Sequence, residues 1–381
     1  MMIELGKEQL DIKKAAREFA ENEIPKYSKE CDEKEEFPWK LWKDSCKQGF
    51  VGVFIDEAYG GQGYGYLENA LIWEEFHKVD PGCAFAALGT TIGAETLLVN
   101  GSEEQKENFL PPLVKGKAIM AIMITEPQAG SDVAGIRTRA EKSGNHWIIN
   151  GTKTFSTNGS IADYAIVLCR TEESGERHRR FSTFIVDLKE DGVKRRKLTG
   201  KLGMRASDTA EISFDNVHVP EENLMGAQGR GFYHIMDFFN RSRTWVAAQA
   251  VGAAQGALDF AINYSREREA FGSRIASFQA IQFKIAEMAT KLEAARCLTY
   301  KASYMLDKGE INPVFSAMAK WYSAKIAVEV VDEALQIHGG IGYFSDHPIS
   351  RFYRDVKAIE IYEGTKEIEK WLIGRRILGA K

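Results

Sequence analysis

The spacing of apolar residues along this chain changes period twice. Over residues 7–30 it is near helical, with Leu10, Ala16, Phe19 and Ile24, until Pro25 and a charged stretch. That pattern predicts an amphipathic helix. Phe37-Pro38-Trp39 restarts the chain, and Leu41, Trp42 and Cys46 carry a short helix to Gly49. Helices are expected over residues 67–79 and 81–99. Ser102-Glu103-Glu104-Gln105 is a capping box opening a further helix, with Pro111-Pro112 as its stop. From residue 118 the pattern becomes short apolar or alternating runs at 118–124, 147–149, 164–169, 181–188 and 210–214, separated by Gly, Asn, Asp and Ser. Asn150-Gly151 is a hairpin signal. No helix-length pattern lies between the runs, which predicts an antiparallel β-domain and not a βαβ unit. Helical spacing returns at Gly229. Long helices are expected over 232–266, 278–308 and 313–337, the second with Ile281, Ile285, Met288, Leu292 and Ala295 on one face, and a last one over 366–378. The expected fold is α+β and mostly α: an N-terminal helical domain (1–117), a middle antiparallel β-domain (118–228) and a C-terminal helical bundle (229–381).

Composition narrows the function classes. The 381 residues are 44% hydrophobic and 27% charged, ordinary for a soluble globular chain with room for two or three packed units. A net charge of -4 argues against a nucleic-acid surface and leaves room for local basic sites that grip a phosphorylated ligand. The longest apolar run, residues 118–124, is far short of a membrane span. The first residues carry neither a secretory nor an Arg-rich transit pattern, so a cytoplasmic location is expected, or the mitochondrial matrix if a transit peptide is missing. Five scattered cysteines without C-x-x-C, and seven histidines without H-E-x-x-H, read as reduced thiols and no metal site.

Candidate chemistry is concentrated in a few stretches. In Ile361-Tyr362-Glu363-Gly364-Thr365-Lys366-Glu367, a carboxylate sits between an aromatic residue and a glycine. Shielding by Ile361 and Tyr362 would raise its pKa and make it a better base. Thr365 can cap the helix that follows. Taken alone, the stretch also fits a loop glutamate in water. The hydroxyl-rich turn at 125–132, and Phe155 with Thr157 in the run 151–159, offer donors and a ring face to a planar heterocycle, or are ordinary strand ends. The glycine-rich loop 60–63 has no G-x-G-x-x-G register and reads as a turn. Arg241 and Arg243, two apart on a helix, cannot share a face. Gly339, Gly340 and Gly342 exceed what a helix C-cap needs, and His338 reads as structural.

Together these stretches resemble the acyl-CoA dehydrogenase family over nearly the whole chain. The motifs are T-E-P-x-A-G-S-D at 125–132, K-L-G-M-R at 201–205 and F-D-N-V-x-V-P at 214–220. After them come Arg268 with Phe271-Gly272, Q-I-H-G-G at 336–340, R-F-Y-R-D at 351–355 and I-Y-E-G-T at 361–365. Several motifs in order carry far more weight than any one. The resemblance implies a C-terminal four-helix bundle, a homotetramer, and FAD held between the β-domain and the bundle. By motif, Ile122, Ile124, Thr125, Ser131, Phe155, Ser156 and Thr157 would surround the flavin ring. Arg268, Phe271, Phe278, Gln336, Ile337, Gly339 and Gly340 would meet the dinucleotide across a subunit boundary, and Thr365 and Glu367 would contact FAD beside the base. Ser131, Asn240, Arg243, Tyr362 and Gly364 fall on the acyl-CoA side, and Glu363 becomes the catalytic base.

The implied reaction removes the α-proton of an acyl-CoA thioester while the β-hydrogen leaves as hydride, with electrons passing to electron-transferring flavoprotein. Some members carry the base on the long helix, where this chain has Ser242, so Glu363 is expected to serve. Phe155 stands where tryptophan is frequent. Residues 80–100 contain no Arg or Lys, which argues against a dicarboxylyl substrate and leaves short straight, branched or cyclic acyl groups. An oxygen-using acyl-CoA oxidase and a non-catalytic homologue acting as a binding protein are the competing readings. The usual oxidase chain is longer, and the flavin motifs together with Glu363 weigh against the second.

Overall fold

The computed structural model describes residues 4–379. Seven helices open the chain: α1 (Lys7–Glu23), α2 (Ser28–Lys34), α3 (Trp39–Lys47), α4 (Tyr66–Val79), α5 (Pro81–Leu88), α6 (Ala94–Asn100) and α7 (Glu103–Val114). Three expectations are corrected here. The helix expected over 7–30 breaks into a 3-10 turn at Ile24–Lys26, where Pro25 brings no N–H. The helix expected over 81–99 is two, because Gly93 turns left-handed (φ 106°) before α6. Helix α7 does not stop at Pro111-Pro112. Their carbonyls still accept from Lys115, Lys117 and Ala118, so the last turn closes. The Ser102 capping box is present, with its side chain accepting from Gln105 N at 3.1 Å. The loop at 60–63 is a turn in which a Cβ on Gly61 would strike the Ile55 backbone.

The middle region is one eight-stranded sheet of β1 (Met120–Met123), β2 (Arg139–Ser143), β3 (His146–Thr157), β4 (Tyr164–Arg170), β5 (Phe181–Asp187), β6 (Val193–Lys197), β7 (Thr209–Pro220) and β8 (Leu224–Met225). The order is β6-β7-β3-β2-β4-β5-β8, with β1 beside β4. It is mixed, not antiparallel as expected. Strands β1 and β4 run parallel from Met120↔Tyr164 to Met123↔Val167, and β2 meets β4 in a parallel bridge. Parallel pairing needs a long return connection, and the β2–β3 hairpin lies within the one between β1 and β4. The Asn150-Gly151 hairpin is also corrected: that pair lies inside β3, and the turn is at Gly144-Asn145. Opposite Asn150 it is β7 that bulges, setting Asp215 and Asn216 against that one residue, and Asn150 Oδ1 accepts from Asn216 N at 2.8 Å.

The C-terminal part holds α8 (Gly231–Glu267), a short pair β9 (Glu269–Ala270) and β10 (Ser273–Arg274), then α9 (Gln279–Asp307), α10 (Pro313–His338), α11 (Pro348–Ile359) and α12 (Lys366–Ile377). Helix α11 was not anticipated. It buries Ile349, Phe352, Val356 and Ile359 on one side. Helices α8 and α4 approach so closely that a Cβ on Gly252 or Gly256 would strike the backbone of Glu74 or Lys78. Trp73 on α4 stacks on Trp245 of α8 with ring centroids 4.9 Å apart. One apolar core runs through the first helices, the sheet and the bundle. No helix among the described residues is long and apolar enough to cross a membrane.

Candidate active site

A cleft of about 1080 Å³ opens between the sheet and the C-terminal helices. The segment that follows α11 forms one wall. The N–H groups of Ile361 and Tyr362 both donate to Ala358 O, at 2.9 and 3.2 Å. The backbone then turns left-handed at Glu363 (φ 55°) and Gly364 (φ 101°), and Thr365 Oγ1 accepts from Ile368 N at 3.4 Å to start α12. The expected loop, carboxylate and helix cap are therefore all present. A glutamate at positive φ is strained and persists only where its surroundings hold it.

Glu363 lines the cleft, and its Oε2 accepts from Ser242 Oγ at 2.7 Å. Burial pushes its carboxyl up to about 7. The Ser242 hydroxyl and the charges of Lys320 and Arg243 pull against that rise, and Glu369 adds to it. Tyr362 donates to Gln249 Oε1 at 2.6 Å and packs on Phe85, with centroids 5.6 Å apart. Phe85, Ile92 and Trp245 form an uncharged wall on the side of α5 and α6. Behind Trp245 its indole N–H donates to buried Glu95 at 3.4 Å, and burial pushes that carboxyl up to about 8.

The opposite rim is set by a buried ion pair. Lys153 on β3 is fully buried and donates to Glu126 Oε1 and to Ile124 O, both at 2.9 Å. Glu126 also accepts from the N–H groups of Arg137 (2.7 Å) and Thr138 (2.9 Å). Burial would raise the Glu126 carboxyl, but Lys153 and those N–H groups hold it down at about 2. The pair ties the end of β1 to β3 and so fixes the turn that begins at Thr125. Phe155 is 69% exposed at φ 54° and lines the cleft with Ser156 and Thr157. The hydroxyls of Thr125, Ser131 and Thr157 have no hydrogen-bond partner among the described residues.

The expected residues Ile122, Ile124, Thr125, Ser131, Phe155, Ser156, Thr157, Arg243, Tyr362, Glu363, Gly364, Thr365 and Glu367 thus come together on this one cleft. Asn240 lies one turn before Arg243 and accepts from its Nη1 at 3.3 Å. Arg243 is 5% exposed, with Nε donating to buried Glu369 at 3.0 Å. Arg241 takes another direction, to Asp237 and Tyr66. The cleft does not include Arg268, Phe271, Phe278, Gln336, Ile337, Gly339 or Gly340. They lie near the α8 C-terminus, around the β9–β10 turn and at the end of α10. Phe271 is 98% exposed at φ 51°. Sequence reasoning missed Glu95, Glu126, Lys153, Lys320 and Glu369, which are charged residues buried by partners far away in the chain.

Family models for the acyl-CoA dehydrogenase N-terminal, middle and C-terminal domains match residues 6–117, 121–217 and 229–378. The chain belongs to the acyl-CoA dehydrogenase family. It is 41% identical to a 3-(aryl)acrylate reductase of Clostridium sporogenes over 96% of this chain and 97% of that protein. It is 40% identical to the caffeyl-CoA reductase-Etf complex subunit CarC of Acetobacterium woodii over the same shares. Butyryl-CoA dehydrogenase from Megasphaera elsdenii superposes with a TM-score of 0.95 at 37% identity, covering 99% of this chain and 100% of that one. An acyl-CoA dehydrogenase is an FAD flavoenzyme, and the residues present fit the cofactor. The cleft exceeds the usual range for small-molecule sites, its rim offers three free hydroxyls, and a strained, exposed Phe155 presents a ring to it.

Proposed function

We propose that this enzyme converts short straight, branched or cyclic acyl-CoA thioesters to trans-2-enoyl-CoA with Glu363 as base, and passes the electrons to electron-transferring flavoprotein. The observation that carries this reading is a half-buried carboxyl with a pKa raised to about 7, facing a cleft whose far rim bears the flavin motif. Glu363 takes the α-proton. Ser242 orients its carboxylate through the 2.7 Å bond. The N–H of Glu363 donates to nothing among the described residues, so it is free to hydrogen-bond the thioester oxygen as enolate charge develops, an interaction worth about 2.7–4 kcal/mol. Tyr362, Phe85 and Trp245 keep water from the reacting carbons. FAD bound beside the substrate supplies the acceptor for the β-hydrogen as hydride. The uncharged Phe85–Ile92–Trp245 wall suits a neutral acyl group.

In the same reading, Ile122, Ile124, Thr125, Ser131 and residues 155–157 border the flavin, with Thr365 and Glu367 beside the base. Ser131, Asn240, Arg243, Tyr362 and Gly364 lie on the acyl-CoA side. Arg268, Phe271, Phe278, Gln336, Ile337, Gly339 and Gly340 meet the dinucleotide of a neighbouring subunit in a homotetramer. The full exposure of Phe271 supports that assignment.

The test is anaerobic bleaching of the flavin by butyryl-, isobutyryl-, isovaleryl-, octanoyl-, cyclohexanecarbonyl- and glutaryl-CoA. Rapid bleaching by a short neutral member is expected. No bleaching by any of them, with FAD bound, refutes the reading. Transfer of the electrons to purified electron-transferring flavoprotein, without oxygen consumption, excludes the oxidase. A second reading runs the same groups in reverse, as an enoyl-CoA reductase. It is favoured by two relatives, at 41% and 40% identity, that are named reductases. Faster reoxidation of the reduced enzyme by an arylacrylyl-CoA than bleaching by any saturated thioester would select it.

A further inference from the structure

Lys320 on α10 is fully buried, an unusual place for an ammonium group. Its Nζ donates to Gly364 O at 2.6 Å, and Lys320 does not itself line the cleft. That carbonyl belongs to the left-handed pair Glu363-Gly364. Beneath the same turn lies Glu369, fully buried and paired with Arg243, so close that a Cβ on Gly364 would run into its Oε1. Charged groups meet here from several elements packed around the turn, and buried Glu95 on α6 repels Glu363 as well. Helix α8 supplies Arg243 together with the Ser242 hydroxyl, α10 supplies Lys320, α12 supplies Glu369 and Lys366, and Glu360 follows α11. Two buried cations, Lys320 and Arg243, are therefore set among the carboxylates of Glu369, Glu360 and Glu363 itself. A buried charge persists when it is paired or firmly hydrogen-bonded. Lys320 has a single hydrogen-bond acceptor among the described residues, and it is the backbone of this turn.

We propose that Lys320 is a positioning residue for the base, its ammonium clamping the Gly364 carbonyl so that the strained Glu363-Gly364 turn presents the carboxylate to the substrate. The inference rests on Glu363 being the base. The clamp acts in two ways. It fixes the backbone just after the carboxylate, which among the described residues has one side-chain partner, Ser242. It also sets a positive charge behind the base that favours its ionised form, while Glu369 opposes ionisation.

The experiment uses the FAD-loaded enzyme with a thioester that bleaches wild type, followed anaerobically in stopped flow on both sides of neutral pH. Lys320→Met, Glu369→Gln and Glu363→Gln are compared at matched flavin content. Lys320→Met is expected to slow bleaching about 10²-fold, the scale of a 1 Å misplacement, and to move the midpoint of its pH profile up by about one unit. Glu369→Gln removes a negative charge and is expected to move the midpoint down. General structural damage does not produce shifts of opposite sign. A Lys320→Met enzyme with wild-type rate and profile, or two variants moving the midpoint in the same direction, overturns the proposal. If Lys320→Met does not retain flavin, Glu369→Gln decides, and an unmoved or raised midpoint overturns it. Surviving bleaching in Glu363→Gln overturns the base assignment separately, whatever the other two variants do.

Discussion

Acid is expected to switch this enzyme off through Glu363 itself. An ordinary glutamate, at 4.5, is almost fully ionised at neutral pH, whereas burial holds this one at about 7. Only the ionised carboxylate accepts the α-proton, so the rate follows its ionised fraction and falls as pH falls. With a pKa of about 7, that fraction is about 1% near pH 5 and about 90% near pH 8, a roughly 90-fold span. A base at the ordinary value would lose less than about twofold over the same range. The assay is anaerobic flavin bleaching at thioester concentrations well below KM, where the second-order constant reports the free enzyme. The Ser242 hydroxyl stabilises the carboxylate through the 2.7 Å bond, so Ser242→Ala should raise the midpoint further. A profile that stays flat down to about pH 5, or a midpoint unmoved by Ser242→Ala, would refute the assignment of the raised pKa to this carboxyl.

Gly364→Ala adds a Cβ at φ 101° that runs into Glu369 Oε1; it should abolish bleaching while far-ultraviolet circular dichroism stays near wild type, and a wild-type rate would exclude the tight turn. Glu126→Gln leaves Lys153 buried without its counter-ion and should cost about 3–5 kcal/mol in denaturant titrations, together with weaker flavin retention; a loss below about 1 kcal/mol would assign the pair surface-like energetics. Phe155→Ala should lower the flavin retained on gel filtration with little change in thermal stability, because the ring is exposed; unchanged flavin content would remove Phe155 from the cofactor wall.

What was legible in the sequence had local causes. Thr365 after Glu363-Gly364 signals a cap, and the cap is there at 3.4 Å. Ser102 and Gln105 close the capping box they announce. Local signals also mislead when a distant strand decides the outcome. Asn150-Gly151 has hairpin chemistry, but it pairs with β7 inside β3, opposite a bulge in that partner strand. The parallel β1–β4 ladder joins runs about forty residues apart, and nothing in either run records its direction. Helix α11 could have been found: Ile349, Phe352, Val356 and Ile359 follow helical spacing after Pro348. The buried charges could not. Lys153, Lys320 and Glu369 sit in patterns where a charge reads as solvent-facing, and only partners from other elements take them out of water. The residues assigned to the dinucleotide by motif do not line the cleft.

Several costly features of this fold lie behind the two rims of one cleft. Phe155, Asn158 and Glu363 all hold positive φ, a conformation that disfavours residues with side chains. Lys153 with Glu126, Arg243 with Glu369, and Lys320 on Gly364 O are charges taken out of water. Apolar residues of similar volume would give comparable or greater stability at such positions. Stability therefore does not explain them, and direction does. An apolar contact fixes a distance loosely, whereas a charge-assisted hydrogen bond fixes an atom and its orientation. One pair ties the turn at Thr125, on the rim proposed for the flavin, to β3. Of the other two, Lys320 holds the Gly364 carbonyl next to Glu363. In the proposed reaction a proton leaves toward Glu363 and a hydride toward the rim proposed for the flavin, so the two rims have to stand at a fixed separation. The arrangement of buried charge is what rigid opposition across a cleft requires.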